Sequence, residues 1–150
     1  MKKPKSLKTL ANTAWRLMSE WVRQNEADEN GNCTCVTCGR YGDWRGYDAG
    51  HFVHAGTGGK KNPVSYDIRN IHAQCPFCNR QATSKHRHPT MVAARYTEFM
   101  LTKYGPGIID QLEAIKKQHW FRHQELEEQI KLLKSRLTVL DKSKNWRKIA

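Results

Sequence analysis

Acidic residues are scarce in this chain and long apolar runs are absent. Asp and Glu number 14 against 26 Lys and Arg, leaving a formal net charge of +12 at pH 7. No hydrophobic stretch approaches the roughly 18 residues of a membrane-spanning helix, and Met1 to Ala14 lacks the apolar block of a secretory signal. The protein is therefore expected inside the cell, with no membrane partner. Hydrophobic residues are only 38% and aromatics 9% of the 150 residues, which suits one core with appendages better than two independent ones. So much positive charge on a polar chain points to a polyanionic partner, nucleic acid first. The five cysteines are an odd number in paired spacing, which favours thiolates on a metal over a disulfide framework.

What is present is organised around those cysteines. CVTC (Cys35, Cys38) and CPFC (Cys75, Cys78) are two C-x2-C hooks separated by 36 residues. Together they supply four soft ligands and leave no open coordination position, the donor set of structural zinc. Cys33 is left over, either a free thiol or an alternative to Cys35. Between the hooks there is no helical period; short pieces such as YDAGHFV look like strands of a metal-organised domain.

Helical patterns flank this region. Leu7, Leu10, Ala14, Leu17 and Trp21 fall at steps of three and four, an amphipathic helix that NEADENGN ends. After Pro89, Met91, Ala94, Arg95, Phe99 and Met100 keep helical register until YGPG, and Ile108, Leu112 and Ile115 mark another helix. Leu126, Ile130, Leu133, Leu137 and Leu140 follow at steps of four, three, four and three. That seam either packs on its own domain or forms a homodimer, with the N-terminal helix as the other dimer candidate. The basic end, DKSKNWRKIA, reads as loosely ordered and as a DNA-backbone contact.

Asn70-x4-Cys75-x2-Cys78-Asn79, preceded by the strand histidine His51 and bracketed by the hooks, resembles the HNH (ββα-metal) endonucleases. The order CVTCG, DAGH, RNIHAQC, CN, a helix and YG is closer still to the NinG family of lambdoid phage recombination proteins, over about Cys35 to Glu113. With the helical patterns, the resemblance gives the expected α+β, mostly helical fold: an N-terminal amphipathic helix in 1–32, a zinc-stabilised HNH domain in 33–89 and a helical region with a basic tail in 90–150. It implies a phage-encoded DNA endonuclease in the bacterial cytoplasm, cutting branched recombination intermediates such as Holliday junctions. His51 is then the general base, suited by an imidazole that is neutral at cellular pH. Asn79 is a ligand of a catalytic divalent ion, Mg²⁺ or Mn²⁺, and Asn70 holds the base's ring or the loop around it.

Two departures from that pattern matter. Many HNH enzymes have an acidic residue or His immediately before the base, where this chain has Gly50. Asp48 is the nearest acid and the assigned second metal ligand, yet residues three apart on a regular strand face opposite sides, so it needs a bulge or bend at Gly50 to join His51. His86 and His88 fall where the family shows a different stretch, and with His54 and His72 they are open between site, surface and packing; His119 and His123 read as solvated. Lys60, Lys61, Arg69, Arg80, Lys85 and Arg87 form the expected DNA-binding set. GTGGKK lacks the Walker spacing and reads as a basic loop near DNA. Trp44, Tyr47, Phe52 and Tyr66 read as core before base-stacking groups. The alternatives are a non-catalytic, zinc-stabilised DNA-binding accessory protein and an HNH nuclease without junction preference.

Overall fold

The computed structural model describes residues 1–56, 58–80, 89–144 and 146, without the side chains of 89 and 90. Helix α1, Leu7–Glu26, starts where Ser6 Oγ accepts from the Thr9 amide, and its apolar stripe buries Leu10, Ala14, Leu17 and Met18. Two antiparallel hairpins follow. In the first, β1 (Asn32–Thr34) pairs with β2 (Tyr41–Asp43), Cys33 opposite Gly42. The turn between them carries the first cysteine hook, closed by the Gly39 amide donating to Cys35 O at a left-handed φ of +74°, a conformation glycine adopts without a Cβ clash.

In the second hairpin β3 (Asp48–His51) pairs with β4 (Ile71–Gln74) in the register Asp48–Gln74, Ala49–Ala73, Gly50–His72 and His51–Ile71. The short helix α2, Pro76–Asn79, comes next with Cys75 at its N-cap. Helices α3 (Pro89–Tyr104), α4 (Ile108–Lys116) and α5 (His123–Ser143) complete the chain. Side chains alternate between the faces of a strand, and here each face meets helices. Ala49 and Ile71 join the α1 core, whereas His72 packs on Tyr96 and Phe99 of α3. The result is the mostly helical α+β architecture expected, with a two-hairpin region between packed terminal helices.

The leucine seam packs on its own chain. Leu126 and Leu133 are fully buried in one cluster with Leu10, Leu17 and Met18, and Ile130 and Leu137 pack against it. Both surfaces considered for a dimer, the seam and α1, thus cover each other. The C-terminal segment departs from expectation. Lys144 Nζ donates to the carbonyls of Ala27 and Asn25, and Trp146 Nε1 to Asp28 O at 3.0 Å. A cation at the C-terminus of α1 neutralises its orphan carbonyls, so at Lys144 and Trp146 the tail is docked where loose order was expected. Tyr47 and Tyr66 are buried, and Trp44 and Phe52 pack against core clusters, so these aromatics serve as core. No helix among the described residues is long and apolar enough to cross a membrane.

Candidate active site and metal centre

The Sγ atoms of Cys35, Cys38, Cys75 and Cys78 lie within 4.8 Å of one another, and Cys38 and Cys75 are 3.7 Å apart. Thiolates at about 2.3 Å from a tetrahedral zinc stand roughly 3.8 Å apart, so the set fits that ion, and the separation is far beyond a disulfide bond. Burial and neighbouring thiols hold Cys78 up as a free thiol, a crowding that a dication relieves. Cys33 stays outside the set. It is fully buried, donates to Arg23 O at 3.1 Å, and burial pushes its thiol up to about 12.

His51 lies at the end of β3 in a cleft of about 640 Å³ lined by Lys8, Asn12, Trp15, His54, Lys60 and Lys61, among others. Its Nε2 is 3.2 Å from the Ser65 carbonyl, and the ring stacks on Trp15 at 4.5 Å. A carbonyl only accepts, so Nε2 carries the proton and the Nδ1 lone pair is available. Burial pushes the His51 pKa down to about 4; the Ser65 carbonyl opposes this and His54 adds to it. His54, exposed on the same cleft, is also lowered by burial and by Lys116. Lys60 donates to Asn12 Oδ1 at 3.1 Å, and Lys61 Nζ stands 4.9 Å from the Trp120 ring centroid.

Asn70 fixes the loop, not the ring. Fully buried, it donates to Val53 O and Val64 O and accepts from the Val53 amide. It thus ties the turn after His51 to the segment that presents Ser65.

On the opposite face of β3, Asn79 Nδ2 donates to Asp48 Oδ2 at 3.0 Å, and the Arg80 guanidinium pairs with the same carboxylate at 3.3 Å. The ladder is regular and contains no bulge at Gly50. Asp48 and Gly50 therefore share a face, on which Asp48 meets Asn79, and the bend at Gly50 that would join Asp48 to His51 is absent. His51 is not brought to this pair. Of the described members of the basic set, only Lys60 and Lys61 line the His51 cleft; Arg69 is forked onto Asp67 and bonded to Gln111. Lys85, His86, Arg87 and His88 lie outside the described residues. His72 is a core residue, bonded through Nδ1 to Glu26 at 2.5 Å and through Nε2 to Tyr104 at 3.1 Å.

Sequence reasoning missed Lys8, Asn12 and Trp15, the α1 wall of the cleft. Their steps of four and three mark a second helical stripe beside the apolar one, a pattern that reads as solvated until a partner surface is known.

The family model described as Bacteriophage Lambda NinG protein matches residues 1–144. Protein ninG of Salmonella phage P22 is 26% identical over 106 residues, covering 71% of this chain and 45% of that protein. The chain thus spans under half the length of this curated relative. No solved structure gives a significant match. Because the family match spans residues 1–144, from α1 past both cysteine hooks and the His51 strand to α5, the chain belongs to the NinG family of phage proteins.

Proposed function

We propose that the protein is a metal-dependent DNA endonuclease of the HNH type, acting on branched DNA in phage recombination. The observation that carries this reading is His51: a neutral imidazole with Nε2 tied to a backbone carbonyl and its Nδ1 lone pair available, in a cleft lined by Lys8, Lys60 and Lys61. The lysines hold phosphates by charge. His51 Nδ1 takes the proton of the water that attacks phosphorus, and the anionic phosphate beside the ring raises its low pKa toward the working range. Asp48 and Asn79 would hold the divalent ion, which supplies charge neutralisation at the phosphate and the leaving 3′ oxygen. In the resembled enzymes base and ligand are adjacent on a strand, so they too start from opposite faces; Asp48, in step with Gly50, occupies the ligand face.

A second reading, a non-catalytic DNA-binding accessory protein, draws support from Arg80, whose guanidinium neutralises Asp48 in this structure. The two are separated by incubating the protein and a His51→Ala variant of verified zinc content with labelled four-way-junction and linear duplex DNA, with and without Mg²⁺. Mg²⁺-dependent nicking of the junction, lost in His51→Ala, is the expected result. Equal cutting of both DNAs removes the junction preference. Binding without cleavage under Mg²⁺ or Mn²⁺ overturns the enzyme in favour of the accessory protein.

A further inference from the structure

Gly50 is where the proposed hydrolase lacks an acidic side chain, and the space above it is not empty. A Cβ built there would overlap Gln74 Oε1 and come within 2.9 Å of Asn79 Oδ1. The two amide oxygens converge from different elements, Gln74 from β4 and Asn79 from the end of α2. Gln74 is 3% exposed. Its Nε2 donates to Thr37 Oγ1 at 2.7 Å, which orients the amide, while neither Gln74 Oε1 nor Asn79 Oδ1 receives a donor from the described residues. Beside them stands Asp48, paired directly across the ladder with Gln74, with Arg80 against its carboxylate. Two neutral amide oxygens and one carboxylate, gathered about a glycine that makes room for them, form the hard-oxygen set that Mg²⁺ and Mn²⁺ select.

We infer that Gln74 is a third protein ligand of the divalent ion, delivering from the neighbouring strand the oxygen that a side chain at position 50 would otherwise supply. The inference rests on the metal-dependent reading of Asp48 and Asn79. It explains Gly50 as a residue required by Gln74: any larger side chain there displaces the ligand. It also gives Arg80 a second role, as the cation that occupies the Asp48 carboxylate until the metal replaces it.

Mn²⁺ binding tests this without reference to cleavage. The full-length, zinc-loaded protein is titrated with Mn²⁺ and free ion is followed by its EPR signal, with zinc content and circular dichroism checked for each variant. Wild type should bind one Mn²⁺ per chain and Asp48→Ala should lose it. Gln74→Ala should weaken binding about 10-fold. Gln74→Glu should tighten it, because a carboxylate of the same reach replaces a neutral oxygen and the Thr37 hydroxyl can still donate to it. Thr37→Val, which removes the orienting bond and keeps the oxygen, should cost less than Gln74→Ala. A merely structural glutamine predicts no gain in Gln74→Glu. Wild-type affinity in both Gln74 variants, with Asp48→Ala defective, overturns Gln74 as ligand and leaves the metal site standing. No Mn²⁺ bound by wild type overturns the metal-dependent reading and the inference together.

Discussion

His51 carries two demands that pull against each other. Burial and the neighbouring His54 keep it neutral, which the proposed base needs, yet they lower its basicity to a pKa of about 4 from 6.5. In the unfolded chain the ring protonates as pH falls through about 6.5, and in the folded chain only near 4. The unfolded state therefore binds more protons in that window, and stability is full above it and declines on acidification through it. His51→Asn should show a shallower loss of denaturation midpoint between pH 7 and pH 5 at saturating zinc. An equal slope in both proteins would mean that the ring is not held neutral. Asn70 makes a separate prediction. Each of its three amide bonds reaches a main-chain group of the cleft wall, and orphaning them costs about 3 kcal/mol. Asn70→Ala should lower stability by that amount in urea and impair cleavage with zinc retained. Asn70→Asp, which cannot donate, should rescue neither.

Among the elements, α1 and α5 illustrate how one amphipathic stripe is read twice. Heptad spacing in α5 fits a dimer or an intramolecular partner equally well, because either buries the same leucines. In the fold α1 fills the role, and Leu133 ends up fully buried against it. Leu133→Ala should destabilise the protein by about 3 kcal/mol at every protein concentration. A midpoint that rises with concentration would show that the seam is shared between copies. The hairpin β3–β4 makes a complementary point. Strand alternation was enough to place Asp48 opposite His51, but its meeting with Asn79 depends on α2, whose position is set by Cys75 and Cys78 at the cysteine cluster.

At the scale of the whole molecule, that cluster connects parts that have little core of their own. Cys33, Tyr47 and Ala73 share one buried group with Cys35, Cys75 and Cys78, while Ala49 and Ile71 of the same hairpin belong to the α1–α5 core. Zinc binding at such a site contributes on the order of 10 kcal/mol. Elemental analysis should find one zinc per chain. Cys33→Ala should keep it, and Cys78→Ser should lose it. Chelation should unfold the hairpins and expose the α1 face in one transition, seen as a change in tryptophan fluorescence and loss of DNA binding. A Cys33→Ala protein that loses its zinc would transfer Cys33 into the ligand set.

Spacing and residue type alone determined the long helices and the four-cysteine set, because these depend on local periodicity and on the chemistry of short motifs, while His51, Asn70 and Asn79 became candidates through the family resemblance of the motifs that hold them. The seam's partner, the docking of Lys144 and Trp146, the α1 wall of the cleft and the service of Asn70 to the loop were decided only by tertiary structure. Each depends on which surfaces meet across tens of residues, and a chain with several equivalent apolar stripes does not announce that choice. Gln74 belongs with these. An ordinary polar residue before a cysteine becomes a candidate ligand only once antiparallel pairing places its oxygen over a glycine on the neighbouring strand.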